Sequence, residues 1–349
     1  MIAGRYTQGG KLQIVDVPIP TIGDDELLLR IEASAICGSD VKIIHQGHHK
    51  LRDGQTLILG HEFVGTIAQV GVRVAGYSVG DRVGVAPNLG CGACALCRQG
   101  LGNMCPAYDA FGITFDGGHA EFVRIPAKAI VQGNVVAIPD TLDGIAASLI
   151  EPLSCAVSSL RISQVQAADW VLVYGAGPMG LLNALVAKAA GASRVIVVDL
   201  NDTRLDKARQ LGATDVVNPQ QQPVSQWVTE QTGGRGLDVV IVAVPVAALQ
   251  QEGLGLLAPF GRLCLFAGLP RGQAGVALDT NAIHYKNLLV TGMTGGSARD
   301  YRAALELIQT GRVDVGPLIS HVFSFRNLQQ AYGTALSGEG LKIVIAQEA

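Results

Sequence analysis

The sequence predicts an α/β protein in which a β-rich domain is joined to a doubly wound parallel sheet. Three observations carry that prediction. The chain has 349 residues, more than one ordinary core organises, so two domains are expected. Its first part is mostly short β-runs punctuated by glycine. From Trp170 onward, apolar strands alternate with helical stretches, the pattern of a parallel sheet covered on both faces.

Composition narrows the function classes. Hydrophobic residues make up 48% and charged residues 16%, below the roughly 25% usual for soluble domains, which implies much buried surface, of the kind a subunit interface adds to. The 44 glycines suit many tight turns. The net charge of −3 and the lack of a long basic run argue against nucleic acid or a charged membrane as partner. The opening MIAGRYTQGGKLQIVD has no apolar signal core, and no run of about 18 apolar residues could span a bilayer. The expected compartment is the cytoplasm, where thiols stay reduced.

In the first part, Lys11 to Asp16 reads as a strand stopped by Pro18 and Pro20. Glu26 to Ala33 reads as a second strand, and VGTIAQVG and GDRVGV as further β-runs. In the second part, Val171–Tyr174 is an apolar strand and LLNALVAKAA a helix. RVIVVD is the next strand, ending at Asp199, and a helix follows from Asp202 to Leu211. Asp238–Val244, Arg262–Ala267 and Leu288–Gly292 are later strands. A helix over Asp300–Gln309 and a β-run over Leu341–Ala346 end the pattern.

Between the first strand and helix of the second part stands Gly175-Ala176-Gly177-Pro178-Met179-Gly180. A GxGxxG alone is weak in a glycine-rich chain. Here it has a strand before it, a helix after it, and an acidic residue, Asp199, 19 positions beyond Gly180. Gly175 permits the tight turn, Gly177 lets backbone approach a pyrophosphate, and Gly180 lets helix and strand pack closely. The helix N-terminus offers free N–H groups to phosphate. Asp199 can accept hydrogen bonds from both hydroxyls of an adenosine ribose and would repel a 2′-phosphate. With Leu200 and Asn201 following and no adjacent arginine, NAD is favoured over NADP.

Four of the seven cysteines lie in CGACALCRQGLGNMC. Cys91, Cys94, Cys97 and Cys105 are separated by two, two and seven residues. A disulfide knot fits poorly with the odd total, the chain length and the compartment. The spacing suits four thiolates closing around one zinc ion, which would leave no position for substrate and would staple a polar, glycine-rich loop. An iron–sulfur cluster and a redox CxxC pair remain alternatives. A second set is dispersed: Cys37 in ICGSD, His61 and Glu62 in GHE, and Glu151 in EPLS. Each alone has a bland explanation, a buried thiol or a surface pair.

Taken together these motifs resemble the zinc-containing medium-chain dehydrogenases, the alcohol and polyol dehydrogenase family. ICGSD, GHEFVG, GDRV, the four-cysteine loop, DGGHAEF, EPLS and GAGPMG occur in the family's order across essentially the whole chain. EPLS and DGGHAEF are similar to the sorbitol, threonine and sugar-alcohol subgroup. The resemblance implies a GroES-like catalytic domain, residues 1–148 and 286–349, interrupted by a Rossmann domain, residues 149–285. It implies two zinc ions per chain and an active site in an interdomain cleft. It also implies a homotetramer or homodimer. Cys37 and His61 match ligands of the catalytic zinc. Glu62 matches a carboxylate on or beside that ion, and Glu151 one that binds it directly or through water. Ser39 matches a hydroxyl that takes the substrate proton, and Asp40 a group that orients a zinc ligand.

Two departures from the family pattern stand out. Many relatives carry histidine five residues after the zinc cysteine, where this chain has Lys42. Sorbitol dehydrogenases have an arginine soon after the last Rossmann strand, where this chain reads TGMTGGS. The segment HQGHHK, His45 to Lys50, is either a solvent loop or a substrate-facing rim whose protonated histidines and Lys50 attract an anion. Cys155 and Cys264 are read as buried spacers, Trp170 and Trp227 as packing. The expected reaction is hydride transfer from a secondary alcohol of a polyol, cyclitol or sugar derivative, a small-molecule substrate, to NAD. A threonine-type amino-alcohol dehydrogenase and a non-catalytic dinucleotide-binding descendant are the alternatives.

Overall fold

A computed structural model describes residues 1–9, 11–270, 272–273 and 275–347. The chain divides into two compact units: Met1–Ser154 with Gly296–Ala349, and Cys155–Gly295.

The first unit is built on a seven-stranded sheet. Its path runs Val135–Ala137, Arg82–Val85, Glu62–Val70, Leu27–Ala35, Lys342–Ala346 and Ile319–Ser324, with Phe122–Ile125 also pairing on Leu27–Ala35. Leu27–Ala35 is the hub. It reads LLLRIEASA, and only Arg30 and Glu32 in its first seven residues break the apolar run. Its buried Leu27, Leu29 and Ile31 join Phe63, Ile67, Val83, Leu328, Ile343 and Ile345 in one core. Each such side chain contributes about 1.5–3 kcal/mol by leaving water, so this core dominates the unit's stability. A smaller sheet pairs Ile2–Thr7 with Leu12–Asp16 and Thr56–Ile58. The final strand, Lys342–Ala346, lies antiparallel to Leu27–Ala35, with Val344 opposite Ala35. The unit is thus completed by residues from the far end of the sequence.

The second unit is a six-stranded parallel sheet in the order Asp215–Val217, Arg194–Val198, Trp170–Tyr174, Leu237–Val242, Leu257–Leu265, Leu289–Gly292. Strands buried on both faces need continuous apolar runs, and VLVY, VIVV and VVIV supply them. This is the doubly wound arrangement of the Rossmann fold, with the reversal of strand order beside Trp170–Tyr174. Leu289–Gly292 pairs in register with Leu257–Leu265 and so belongs to this sheet. The unit therefore runs to residue 295, not to the expected 285. At its start the helix Ile150–Ile162 carries the chain across the boundary, which falls at 155 and not at 149. Trp170 and Trp227 pack as expected, both stacking on the Arg194 guanidinium, which is itself paired with Asp215. Cys264 is buried, but Cys155 is only half-buried.

Candidate active site and metal centres

The four-thiol loop is closed at its base by Asn88–Leu89 pairing with Asp109–Ala110. A one-turn helix, Ala95–Arg98, presents Cys97, and a 3-10 turn leads into the buried Cys105. The four Sγ atoms all lie within 4.8 Å of one another. Cys91 and Cys97 are 4.0 Å apart, Cys94 and Cys105 3.8 Å. A disulfide needs about 2.05 Å, so none is formed. A zinc tetrahedron with bonds of about 2.3 Å has sulfur–sulfur edges of roughly 3.8 Å, which these distances fit. Backbone N–H groups of Ala93 and Cys94 pull the Cys91 thiol down to about 6, while burial pushes Cys97 up to about 11. One thiol thus ionises readily and another resists. Gly90 leaves room for this cluster: a Cβ there would stand 2.3 Å from the Cys97 Sγ.

The second cluster is assembled by two segments of the seven-stranded sheet. Cys37 follows Leu27–Ala35 and caps the helix Gly38–Gln46. His61 and Glu62 stand at the start of Glu62–Val70, whose Glu62 is opposite Ala35. This pairing brings Cys37, His61 and Glu62 together, with ligand atoms within 4.8 Å of one another. Asp40 knits the site. Its carboxylate accepts hydrogen bonds from the Cys37 N–H at 2.9 Å and the Gly60 N–H at 3.4 Å, and lies 3.8 Å from His61 Nδ1. Burial opposes protonation of His61, but Cys37, Asp40 and Glu151 outweigh it and draw the imidazole well above its usual value. His61 Nδ1, Glu62 Oε1 and Ser39 Oγ are buried without a hydrogen-bond partner. Orphaned buried polar atoms are costly, and a metal ion is the partner this donor set suits. Glu151, 5% exposed, acts electrostatically on His61 and Lys342, but its carboxylate stands outside the 4.8 Å group. It approaches from its own helix and not from the two strand ends.

The sequence reading missed Lys342. Its ammonium is buried and pairs with Glu62 Oε2, while also donating to the Ile36 carbonyl at 3.1 Å. Burial would strip its proton, yet Glu62, Cys37 and Glu151 hold its pKa above the ordinary value. With Cys37 as thiolate, the form metal binding requires, Cys37, Asp40, Glu62 and Glu151 carry more negative charge than Lys342 offsets, an excess that a divalent cation would reduce. The histidine of DGGHAEF, His119, is also buried here. It hydrogen-bonds Tyr332 and faces the Ala35 carbonyl at 3.3 Å, and burial lowers its pKa, so it packs as a neutral ring.

In HQGHHK, His48 is buried and accepts a hydrogen bond from the Lys50 N–H at 3.1 Å. Burial, then His49 and Lys50, lower its pKa, which weakens any attraction it could exert on an anion. His45, His49 and Lys50 remain exposed, with the Lys50 ammonium donating to the Tyr108 carbonyl at 2.8 Å. Lys42 is exposed as well.

In the second unit, the turn after Trp170–Tyr174 has the geometry a dinucleotide needs. Gly175 sits at φ +103°, and a Cβ there would strike Val244. A Cβ on Gly180 would stand 1.8 Å from the Gly175 carbonyl oxygen. Gly177 differs: a Cβ there would meet no protein atom within 4 Å. The close packing explains two glycines, and the open space above Gly177 fits an approaching ligand. Pro178 begins the helix Pro178–Ala189, and no side chain caps its free N–H groups. Asp199 accepts from the Ala176 N–H at 2.7 Å and the Asn201 N–H at 2.9 Å, which fixes its carboxylate beside this turn.

A dinucleotide seat in one unit and a thiol–imidazole–carboxylate cluster in the other are the parts that alcohol oxidation by hydride transfer requires. The class this defines is an oxidoreductase acting on alcohols, with zinc and a dinucleotide as cofactors. Residues 23–140 match the alcohol dehydrogenase GroES-like domain, and residues 178–310 match the zinc-binding dehydrogenase domain. The chain belongs to the zinc-containing medium-chain dehydrogenase family. It is 33% identical over 332 residues to an L-threonine 3-dehydrogenase of Bacillus velezensis, covering 95% of this chain and 94% of that one. A structure from Sinorhizobium meliloti 1021, described as a zinc-binding dehydrogenase bound to NADP, is 30% identical. It superposes with a TM-score of 0.90 over 99% of this chain and 98% of its own. Galactitol-1-phosphate dehydrogenase of Escherichia coli is 27% identical, with a TM-score of 0.88 over 99% and 100%.

Proposed function

We propose that the chain oxidises a secondary alcohol of a polyol, cyclitol or sugar derivative, passing hydride to NAD. The observation that carries this reading is the cluster of Cys37, His61 and Glu62, whose ligand atoms lie within 4.8 Å of one another and in which His61 Nδ1 and Glu62 Oε1 are buried without a hydrogen bond. Cys37, His61 and either Glu62 or Glu151 hold one zinc ion; Cys91, Cys94, Cys97 and Cys105 hold a second, structural one. The first ion, when bound, supplies Lewis-acid polarisation of the substrate hydroxyl. Ser39, with its buried and unpartnered hydroxyl, relays the hydroxyl proton, accepting it while passing its own proton outward. Asp40 holds the Cys37 backbone and faces His61, so both ligands keep one orientation.

Gly175, Gly177 and Gly180, with Pro178 and Met179, cradle the pyrophosphate, and Asp199 receives the adenosine ribose. The fixed carboxylate of Asp199 disfavours a 2′-phosphate, so NAD+ should give the higher kcat/KM. Comparing NAD+ with NADP+ tests this directly. Self-association into a homodimer or homotetramer is supported by the strand Leu289–Gly292, which ends its sheet, and by the exposed Leu289 and Tyr285. Among the described residues no helix is long and apolar enough to cross a membrane.

A second substrate reading, oxidation of L-threonine, is supported by the curated relatives, which carry that name at about one-third identity. The deciding experiment follows NADH formation with polyols, cyclitols, sugar acids, sugar phosphates and L-threonine, with and without a zinc chelator. Chelator-sensitive turnover of one class identifies the substrate. Turnover that survives full removal of metal would overturn the zinc-dependent mechanism. Cys37→Ser should abolish turnover while leaving dinucleotide binding intact; retained turnover in that variant contradicts the assignment.

A further inference from the structure

We propose that Lys342 is a positioning residue for the metal cluster: by engaging one oxygen of Glu62, it keeps that carboxylate from becoming a permanent ligand beside Cys37 and His61. The inference rests on the reading that this cluster holds a zinc ion.

The placement is built into the sheet. The Ile36 N–H donates to the Ile343 carbonyl at 2.9 Å, immediately before Cys37, and so brings the start of the last strand behind the cluster. Lys342 Nζ then reaches Glu62 Oε2 and the Ile36 carbonyl. Both side chains are almost fully buried, at 4% and 0% exposure, so water does not screen the pair. The other oxygen, Glu62 Oε1, is buried with no partner, and one oxygen of Glu62 lies within 4.8 Å of the Cys37 and His61 donors.

An unrestrained carboxylate this close to a divalent ion binds it, at about 2.0–2.2 Å for zinc. That would occupy the position a catalytic site keeps open for substrate. The ammonium opposes this in two ways. It commits one oxygen to a charge-assisted hydrogen bond, and it withdraws electron density from the other. Glu62 is then a reserve ligand, able to fill the coordination shell between substrate and product but not to hold it. The ammonium does this without touching substrate, so its role is positional.

The test uses the full-length protein loaded with Co2+, whose visible absorption reports ligand number and geometry. Three variants are compared with wild type: Lys342→Met, Glu62→Gln, and the pair together. Lys342→Met should still bind two metal ions per chain, but with an altered cobalt spectrum and a kcat reduced roughly 10- to 100-fold. Adding Glu62→Gln to it should return the spectrum to that of Glu62→Gln alone, because the carboxylate that moved is gone. Lys342→Arg, which keeps the charge, should keep the wild-type spectrum. A Lys342→Met spectrum identical to wild type with two metals bound overturns the inference and leaves the zinc reading standing. An altered spectrum that Glu62→Gln does not suppress also overturns it. Wild-type protein that binds only one metal overturns both the inference and the catalytic-zinc reading. If Lys342→Met alone does not fold, the double variant, which removes both buried charges, is compared with Glu62→Gln. A cobalt spectrum that differs between those two proteins counts against the proposal, and a matching one supports it.

Discussion

Gly177 and Gly180 are three residues apart in one motif, yet their reasons for being glycine differ. A methyl group on Gly180 collides with the Gly175 carbonyl, a backbone atom that cannot swing away. Gly180→Ala should therefore cost about 3 kcal/mol of stability through overpacking. Gly177 has ordinary backbone angles, φ −73° and ψ 177°, and open space where the methyl would go. Gly177→Ala should unfold at the wild-type temperature but bind cofactor roughly tenfold more weakly, about 1.4 kcal/mol. Thermal melts and cofactor titration of the two variants check the contrast; a Gly177→Ala protein with unchanged affinity would remove that glycine from the cofactor seat. At this scale the site was legible wherever its residues sit in compact motifs. Cys37, His61 and Glu62 announce themselves within ICGSD and GHE, and the four thiols by their spacing. Lys342 was invisible, because a lysine in an apolar terminal strand carries no local signature and its partner lies 280 residues away. His119, conspicuous within DGGHAEF, turned out to pack against Tyr332.

Elements were legible in proportion to the strength of their pattern. The buried parallel strands and the helix Pro178–Ala189 match their expected positions within a few residues. The helix Gly38–Gln46 was not foreseen. It is nine residues long and contains Val41, Ile43 and Ile44, which have low helix propensity. What holds it is a reciprocal cap, Cys37 with Asp40, and the burial of Ile43. The sheet around it is tied across strands by Glu32, which accepts hydrogen bonds from Thr66 and from a forked contact with Arg82. Burial alone would raise the Glu32 carboxyl, but Arg82 and Thr66 outweigh it and hold it below the usual 4.5. Because the folded value lies below the unfolded one, this contribution is fully present above about pH 4.5 and fades as pH falls through the folded value. Glu32→Gln should lose about 1 kcal/mol at neutral pH and show a weaker acid dependence than wild type, as measured by urea melts at pH 7 and pH 3. Equal losses at both pH values would argue that the carboxylate charge is irrelevant.

At the scale of the whole molecule, the two units differ in how sequence is used. The parallel-sheet unit is one continuous stretch, 155–295, with its own core. A fragment spanning it should fold alone and bind dinucleotide. Residues 1–154 alone should stay largely unfolded, because the hub strand Leu27–Ala35 then lacks its partner Lys342–Ala346. Circular dichroism and cofactor titration of the two fragments check this, and a cooperatively melting 1–154 fragment would contradict it.

That discontinuity also orders events during synthesis. The four-thiol loop has all its ligands once 14 residues separate the first from the last. Cys37, His61 and Glu62 leave the ribosome early but wait a further 280 residues for Lys342. At roughly 5–20 residues per second that interval is on the order of tens of seconds. The nascent chain therefore carries one metal site that can load during translation and another that is finished only when its last strand docks.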